Sequence, residues 1–142
     1  YFGGLDMGKL LMVCDTAATD KLQTLAIIAS GAVTSDYEVT IFFMHDAVYA
    51  LKKDAPSEPD VESIFPEVAE KVNQARKEGS LMHWKELLED LKDLGEVRIY
   101  ACVQITEILG LEKDDLLPMV DEIAGVNTLA EQALLADRGM FL

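Results

Sequence analysis

Between Lys9 and Cys14 the chain reads Lys-Leu-Leu-Met-Val-Cys, with five apolar residues in unbroken succession. A short run without alternation fits a strand buried on both faces, as in a parallel sheet held between helices. Parallel strands need crossover connections, so strands and helices should alternate downstream. They do. Leu22, Leu25, Ala26, Ala29 and Val33 recur at helical spacing, and Ile27 and Ile28 widen the apolar face. Thr19 or Asp20 would cap that helix, and Gly31 would let it pack closely on the sheet. Tyr37 to Met44 is β-branched and aromatic, which predicts a second strand. His45 to Lys53, carrying Val48 and Leu51, reads as a short helix.

The middle of the chain breaks this rhythm. Ala55 to Pro66 holds Pro56, Pro59 and Pro66 among acidic residues and reads as loop. Glu67 to Lys77 has only a thin stripe of Val68, Val72 and Ala75, which predicts a peripheral helix ending near Gly79. Residues 54–80 thus interrupt the alternation of strands and helices. Leu81, Trp84, Leu87, Leu88 and Leu91 then mark an amphipathic helix stopped by Gly95. Val97 to Ala101 is a third strand with Cys102 at its end, followed by a helix from Val103 to Leu109 and a cap at Gly110. Lys113 to Leu117 suggests another turn. Ala124 to Val126, Thr128 to Ala136 and Met140 to Leu142 complete the pattern as strand, helix and strand. The expected fold is α/β, a three-layer α/β/α sandwich with a mainly parallel sheet of about five strands. One domain over residues 7–142 is expected, with Tyr1 to Asp6 an unpatterned leader before Met7.

Charge narrows the partners. Asp and Glu number 26 against 12 Lys and Arg, a net charge of −14. Such a surface repels phosphate backbones, so nucleic acid is not an expected partner. No apolar run reaches the length of a membrane span. Two cysteines are too few for a disulfide framework, and nothing resembles a secretion signal, so a reducing cytoplasm is the expected location.

In open parallel sheets ligands bind beyond the carboxyl ends of the strands. Cys14 and Asp15 end the first strand, Met44, His45 and Asp46 the second, and Cys102 the third. A helix beginning directly after Cys102 would place its thiol near free backbone amides and a positive dipole end, which favour thiolate. The bland alternative is a small buried core residue. His45 could line a cleft or simply start a helix, and His83 reads as partly buried. No metal site is expected, because neither Cys-x-x-Cys nor His-Glu-x-x-His occurs. A nucleotide-binding domain is opposed by the glycine-free turn after the first strand, and no Gly-x-Ser-x-Gly elbow marks a hydrolase. The acidic residues from Asp54 to Glu89 read as a solvated face, and Met44, Met82 and Met119 as core or lid fillers.

Three segments together resemble the DsrE/DsrF-like family of small sulfur-relay proteins. They are Lys9-Leu-Leu-Met-Val-Cys-Asp with Asp20-Lys21-Leu22 and Ala29-Ser30-Gly31-Ala32; Tyr37-Glu-Val-Thr-Ile-Phe-Phe43; and Val97-Arg-Ile-Tyr-Ala-Cys102 with Gly110-Leu111, Asp115-Leu116-Leu117 and Ala124-Gly125-Val126. The larger DsrE-like subgroup is the nearest likeness, with its insertion at Asp54 to Gly79. Two departures flank the site: Val103-Gln104 where the subgroup often has Met-Ser, and Met44-His45-Asp46-Ala47 where it often has Thr-Phe-Trp-Gly. The resemblance implies a homo-oligomer without a cofactor, in which Cys102 carries sulfane sulfur as a persulfide between donor and acceptor proteins. Amides of Val103 and Gln104 would hold the anion, and Cys14, Asp15, Met44 or His45 would line the pocket. The alternative is a non-catalytic ligand-binding or assembly subunit that keeps the fold.

Overall fold

The computed structural model describes residues 8–142, so the leader Tyr1 to Asp6 and the start at Met7 lie outside the described residues. Five strands form one sheet: β1 (Lys9–Cys14), β2 (Glu38–Phe43), β3 (Val97–Cys102), β4 (Glu122–Ala124) and β5 (Arg138–Phe141). Their order is β4-β3-β2-β1-β5, and every pairing is parallel. The carboxyl ends of all five strands therefore share one edge. Six helices connect and cover them: α1 (Thr19–Thr34), α2 (Asp46–Ala50), α3 (Pro66–Glu78), α4 (Trp84–Leu94), α5 (Val103–Leu109) and α6 (Val126–Leu135). The arrangement is the expected three-layer α/β/α fold.

Register fixes what each face buries. Met12, Ile41 and Ile99 are aligned across the three central strands, as are Cys14, Phe43 and Ala101. All six are fully buried. This face lies under α1 and α4, where Phe43 meets Trp84 at 6.5 Å between ring centres. Val13, Phe42 and Tyr100 point to the other side, with Phe42 and Tyr100 stacked at 6.1 Å. There α6 is the covering helix, and none of its residues is buried. One face of the sheet is sealed and the other is thinly roofed.

Several local expectations need correction. The N-cap of α1 is Ala18, with no side-chain cap; Thr19 instead donates its hydroxyl to the Pro59 carbonyl at 2.8 Å. Ile27 is exposed rather than part of the packing face. Gly31 faces open space, so close packing does not explain it. Gly95 ends α4 in extended conformation, and a Cβ there would stand 2.8 Å from Val33 Cγ1, so close approach to α1 is what requires glycine. The helix expected from Leu81 starts at Trp84, because His83 caps it: Nδ1 accepts from the Lys85 amide at 3.1 Å. The fourth strand lies two residues earlier than expected, and α6 begins at Val126 rather than Thr128. In α5 the apolar Ile108 and Leu109 face solvent.

The insertion is a peripheral helix, as expected, since no residue of α3 is buried. It is nonetheless firmly tied down. Glu58, read above as part of a solvated face, is an interior hub whose carboxylate accepts from Arg76 Nη2 at 3.1 Å, His83 Nε2 at 3.0 Å and the Trp84 indole. Because His83 Nδ1 accepts from Lys85, Nε2 carries the proton given to Glu58. The Asn73 amide clamps Val61 through both backbone groups, at 2.8 and 3.0 Å.

Candidate functional site

The parallel topology brings the named strand-end residues to one edge. Cys14 ends β1, Met44 and His45 follow β2 and Cys102 ends β3. Cys14 and Met44 are linked directly, the Met44 amide donating to the Cys14 carbonyl at 2.8 Å. Asp15 is exposed, and its amide donates to the Leu142 carbonyl at 3.1 Å. Met44 is half-buried, and by register it stands beside Cys102 on the neighbouring strand.

The two thiols do not form a pair. Cys14 shares the α1/α4 face with Phe43 and Ala101, whereas Cys102 shares the opposite face with Tyr100 by strand alternation. Two strand spacings, roughly 10 Å, also separate β1 from β3. That distance and the opposed directions preclude a disulfide without backbone movement. Cys14 is fully buried and its Sγ donates to the Thr16 carbonyl at 3.3 Å. Burial pushes its thiol above the ordinary range, partly offset by the Thr16 backbone and reinforced by the Asp15 charge. It is therefore held as thiol, a poor nucleophile.

Cys102 has a different setting. It is the last residue of β3 and the N-cap of α5, with φ −64° and ψ 124°. Its partner on β4 is Ala124, two residues before α6 begins. Two helix starts therefore converge beside one thiol: α5, which Cys102 itself caps, and α6, entered through Gly125. The first amides of a helix lack intrahelical acceptors, so Val103 and Gln104 offer donors toward negative charge. The second helix start escaped the sequence reading, which placed a strand across Ala124 to Val126. Glycine at 125, a residue accepted at helix N-caps, is the signal that could have found it. The thiol is covered, however, with only 1% exposure. The strand-end position expected to be reactive is thus closed over in this conformation.

His45 stands out by its backbone. With φ 46° and ψ −129° it occupies the first central position of a type II′ turn, closed by the Ala47 amide donating to the Met44 carbonyl at 3.1 Å. Glycine is the residue that favours this conformation. A cavity of about 300 Å³ lies near the other end of the strands, lined by residues including Lys9, Thr40, Arg98, Tyr100 and Gln132. Among the described residues no three His, Cys, Asp or Glu side chains gather as a metal-ligand set. Nor is any described helix long and apolar enough to cross a membrane.

A parallel three-layer α/β protein with a cysteine at a strand-to-helix junction is the class these features define. The DsrE/DsrF-like family model matches residues 7–142, and the chain belongs to that family. No curated protein matches it. Among solved structures it is similar to a protein of unknown function, MTH1491 from Methanobacterium thermoautotrophicum. The likeness has a TM-score of 0.59 at 14% identity and covers 94% of this chain and 98% of that one, which supports the fold alone. The family is associated with sulfur relay.

Proposed function

We propose that this protein is a sulfur carrier working through Cys102. The thiolate attacks the outer sulfur of a donor persulfide, the donor's S–S bond breaks, and the donor leaves as thiolate. Cys102 then holds Cys–S–S⁻ until an acceptor thiolate attacks the terminal sulfur and Cys102 is released as thiolate. No net oxidation occurs in either step. The observation that carries this reading is the convergence of two helix starts on Cys102. Val103 and Gln104 amides stabilise the anion, and Met44, which follows β2 next to Cys102, lines the approach, with His45 and Asp15 further along the same edge and Cys14 buried on the other face. Because the thiol is covered, transfer requires Cys102 to become exposed when a donor or acceptor docks.

That same burial favours a second reading, a non-catalytic ligand-binding or assembly subunit in which Cys102 is a core residue. Sulfane-donor labelling followed by intact mass measurement separates the two. The carrier gains about 32 Da, one sulfur atom, lost on reduction. The assembly subunit gains nothing.

We further propose a homo-oligomer formed through the thinly roofed side. Phe141 on edge strand β5 is 80% exposed, Leu134 on α6 is 88% exposed, and Leu135 beside it is also exposed. A light-scattering mass that stays monomeric across micromolar concentrations would refute it. Two free thiols fit a reducing, cytoplasmic setting.

A further inference from the structure

Residues 54–70 contain six carboxylates, Asp54, Glu58, Asp60, Glu62, Glu67 and Glu70, and no lysine or arginine. Three of these are paired: Asp54 with Lys52, Glu58 with Arg76 and Glu67 with Lys71. Asp60, Glu62 and Glu70 have no ion-pair partner among the described residues. In the middle of this acidic segment stand three apolar side chains in water: Ile64 at 89% exposure, Phe65 at 64% and Val68 at 47%. Phe65 and Val68 are three apart, so they lie on one side of the first turn of α3. Ile64 precedes them at the tip.

These side chains are presented on a fixed support. The Ser63 hydroxyl accepts from the Phe65 amide at 3.1 Å, and the Phe65 carbonyl accepts from the Val68 and Ala69 amides at 3.0 and 3.3 Å. Pro66 occupies the first helical turn, where its fixed φ suits the helix. On one side the Val61–Asn73 clamp, the Thr19–Pro59 bond and the Glu58 hub fasten the incoming loop. On the other, α3 returns to the body through Arg76 and the left-handed Gly79. The tip cannot fold back to hide its apolar groups. Preorganised apolar anchors lose little entropy on binding, which is how recognition surfaces gain affinity.

We infer that this tip is a docking knob for a protein partner whose apolar cleft is rimmed by lysine or arginine. Charge decides the occupant. The same tip on a second copy of this chain brings an identical acidic rim, and anionic membranes and nucleic acids are repelled by these carboxylates likewise. The inference is independent of Cys102 and of the relay reading.

The test uses the full 142-residue chain and three synthetic helical peptides: leucines flanked by lysines, the same leucines flanked by glutamates, and the lysine peptide with serine replacing leucine. Amide NMR shifts are followed during titration. The leucine–lysine peptide should shift Ile64, Phe65 and Val68 saturably, and the other two should not. The double variant Ile64→Ser/Phe65→Ser should weaken that binding at least tenfold while its melting temperature stays unchanged. Localised shifts that vanish in the variant support the knob. It is overturned by an absence of shifts there at millimolar peptide, by equal binding of the glutamate peptide, or by unchanged binding of the variant. Loss of self-association in the variant would assign the tip to a second copy instead. Phe65-dependent binding to phosphatidylcholine vesicles would assign it to a lipid surface.

Discussion

Replacing His45 with glycine should stabilise the protein. His45 adopts φ 46° and ψ −129° at the first central position of the turn after β2. A non-glycine residue held in so sparsely populated a region costs about 1–3 kcal/mol. Glycine removes that strain but gives the unfolded chain more freedom, which costs about 0.5–1 kcal/mol. The exposed imidazole makes no hydrogen bond among the described residues, so little contact energy is lost. The balance is a gain of about 1 kcal/mol, or roughly 3 °C in melting temperature for a chain of this size. Thermal and urea unfolding of wild type, His45→Gly and His45→Ala measure it. His45→Ala keeps the backbone conflict and should sit near wild type, which separates strain from side-chain effects. A glycine variant no more stable than the alanine variant would refute the strain argument. If the strained turn also shapes the strand-end edge, His45→Gly should take up sulfur more slowly despite its higher stability.

Two further outcomes follow from particular contacts. Glu58→Ala leaves Arg76, His83 and Trp84 without their shared acceptor in a mostly buried setting, so urea unfolding should show a loss of about 2–4 kcal/mol; a loss below 1 kcal/mol would show that the hub is not holding the insertion. Cys14 has its pKa raised in the folded state, so the unfolded chain releases that proton first. Its contribution is complete below the ordinary thiol value near 8.5 and declines as pH rises toward the folded value. Cys14→Ala should therefore lose less stability than wild type between about pH 8.5 and 10, and parallel stability curves would contradict this.

The fold was legible because burial on both faces leaves a plain mark. Lys9 to Cys14, Tyr37 to Met44 and Val97 to Cys102 are dense in apolar residues, and each holds one of the three central strands. Legibility faded where packing is one-sided. Ile27, Ile108 and Leu109 have helical spacing but face water, because periodicity cannot reveal which neighbour is missing. Gly95 looks like a helix stop and is one, yet its reason is Val33 on another helix, a contact no local window contains. Glu58 resembled the carboxylates around it, and only its three long-range donors distinguish it. At the candidate site, position was readable and environment was not. Cys102 at a strand-to-helix junction followed from local pattern. The arrival of α6 depends on β4 pairing with β3, and the covering of the thiol on tertiary packing that no local window contains.

The central claim is that Cys102 carries sulfur, and intact mass measurement after exposure to a persulfide donor tests it most directly. Wild type, Cys14→Ser, Cys102→Ala and Cys102→Ser are compared, with melting temperature recorded for each. Serine at a site with 1% exposure buries a hydroxyl, so it should cost about 1–3 kcal/mol, and alanine guards against mistaking that loss for lost chemistry. Wild type and Cys14→Ser should each gain about 32 Da, removable by reductant, while folded Cys102→Ala gains nothing. An adduct that persists in Cys102→Ala, or a wild type that remains unlabelled by every donor, would contradict the account.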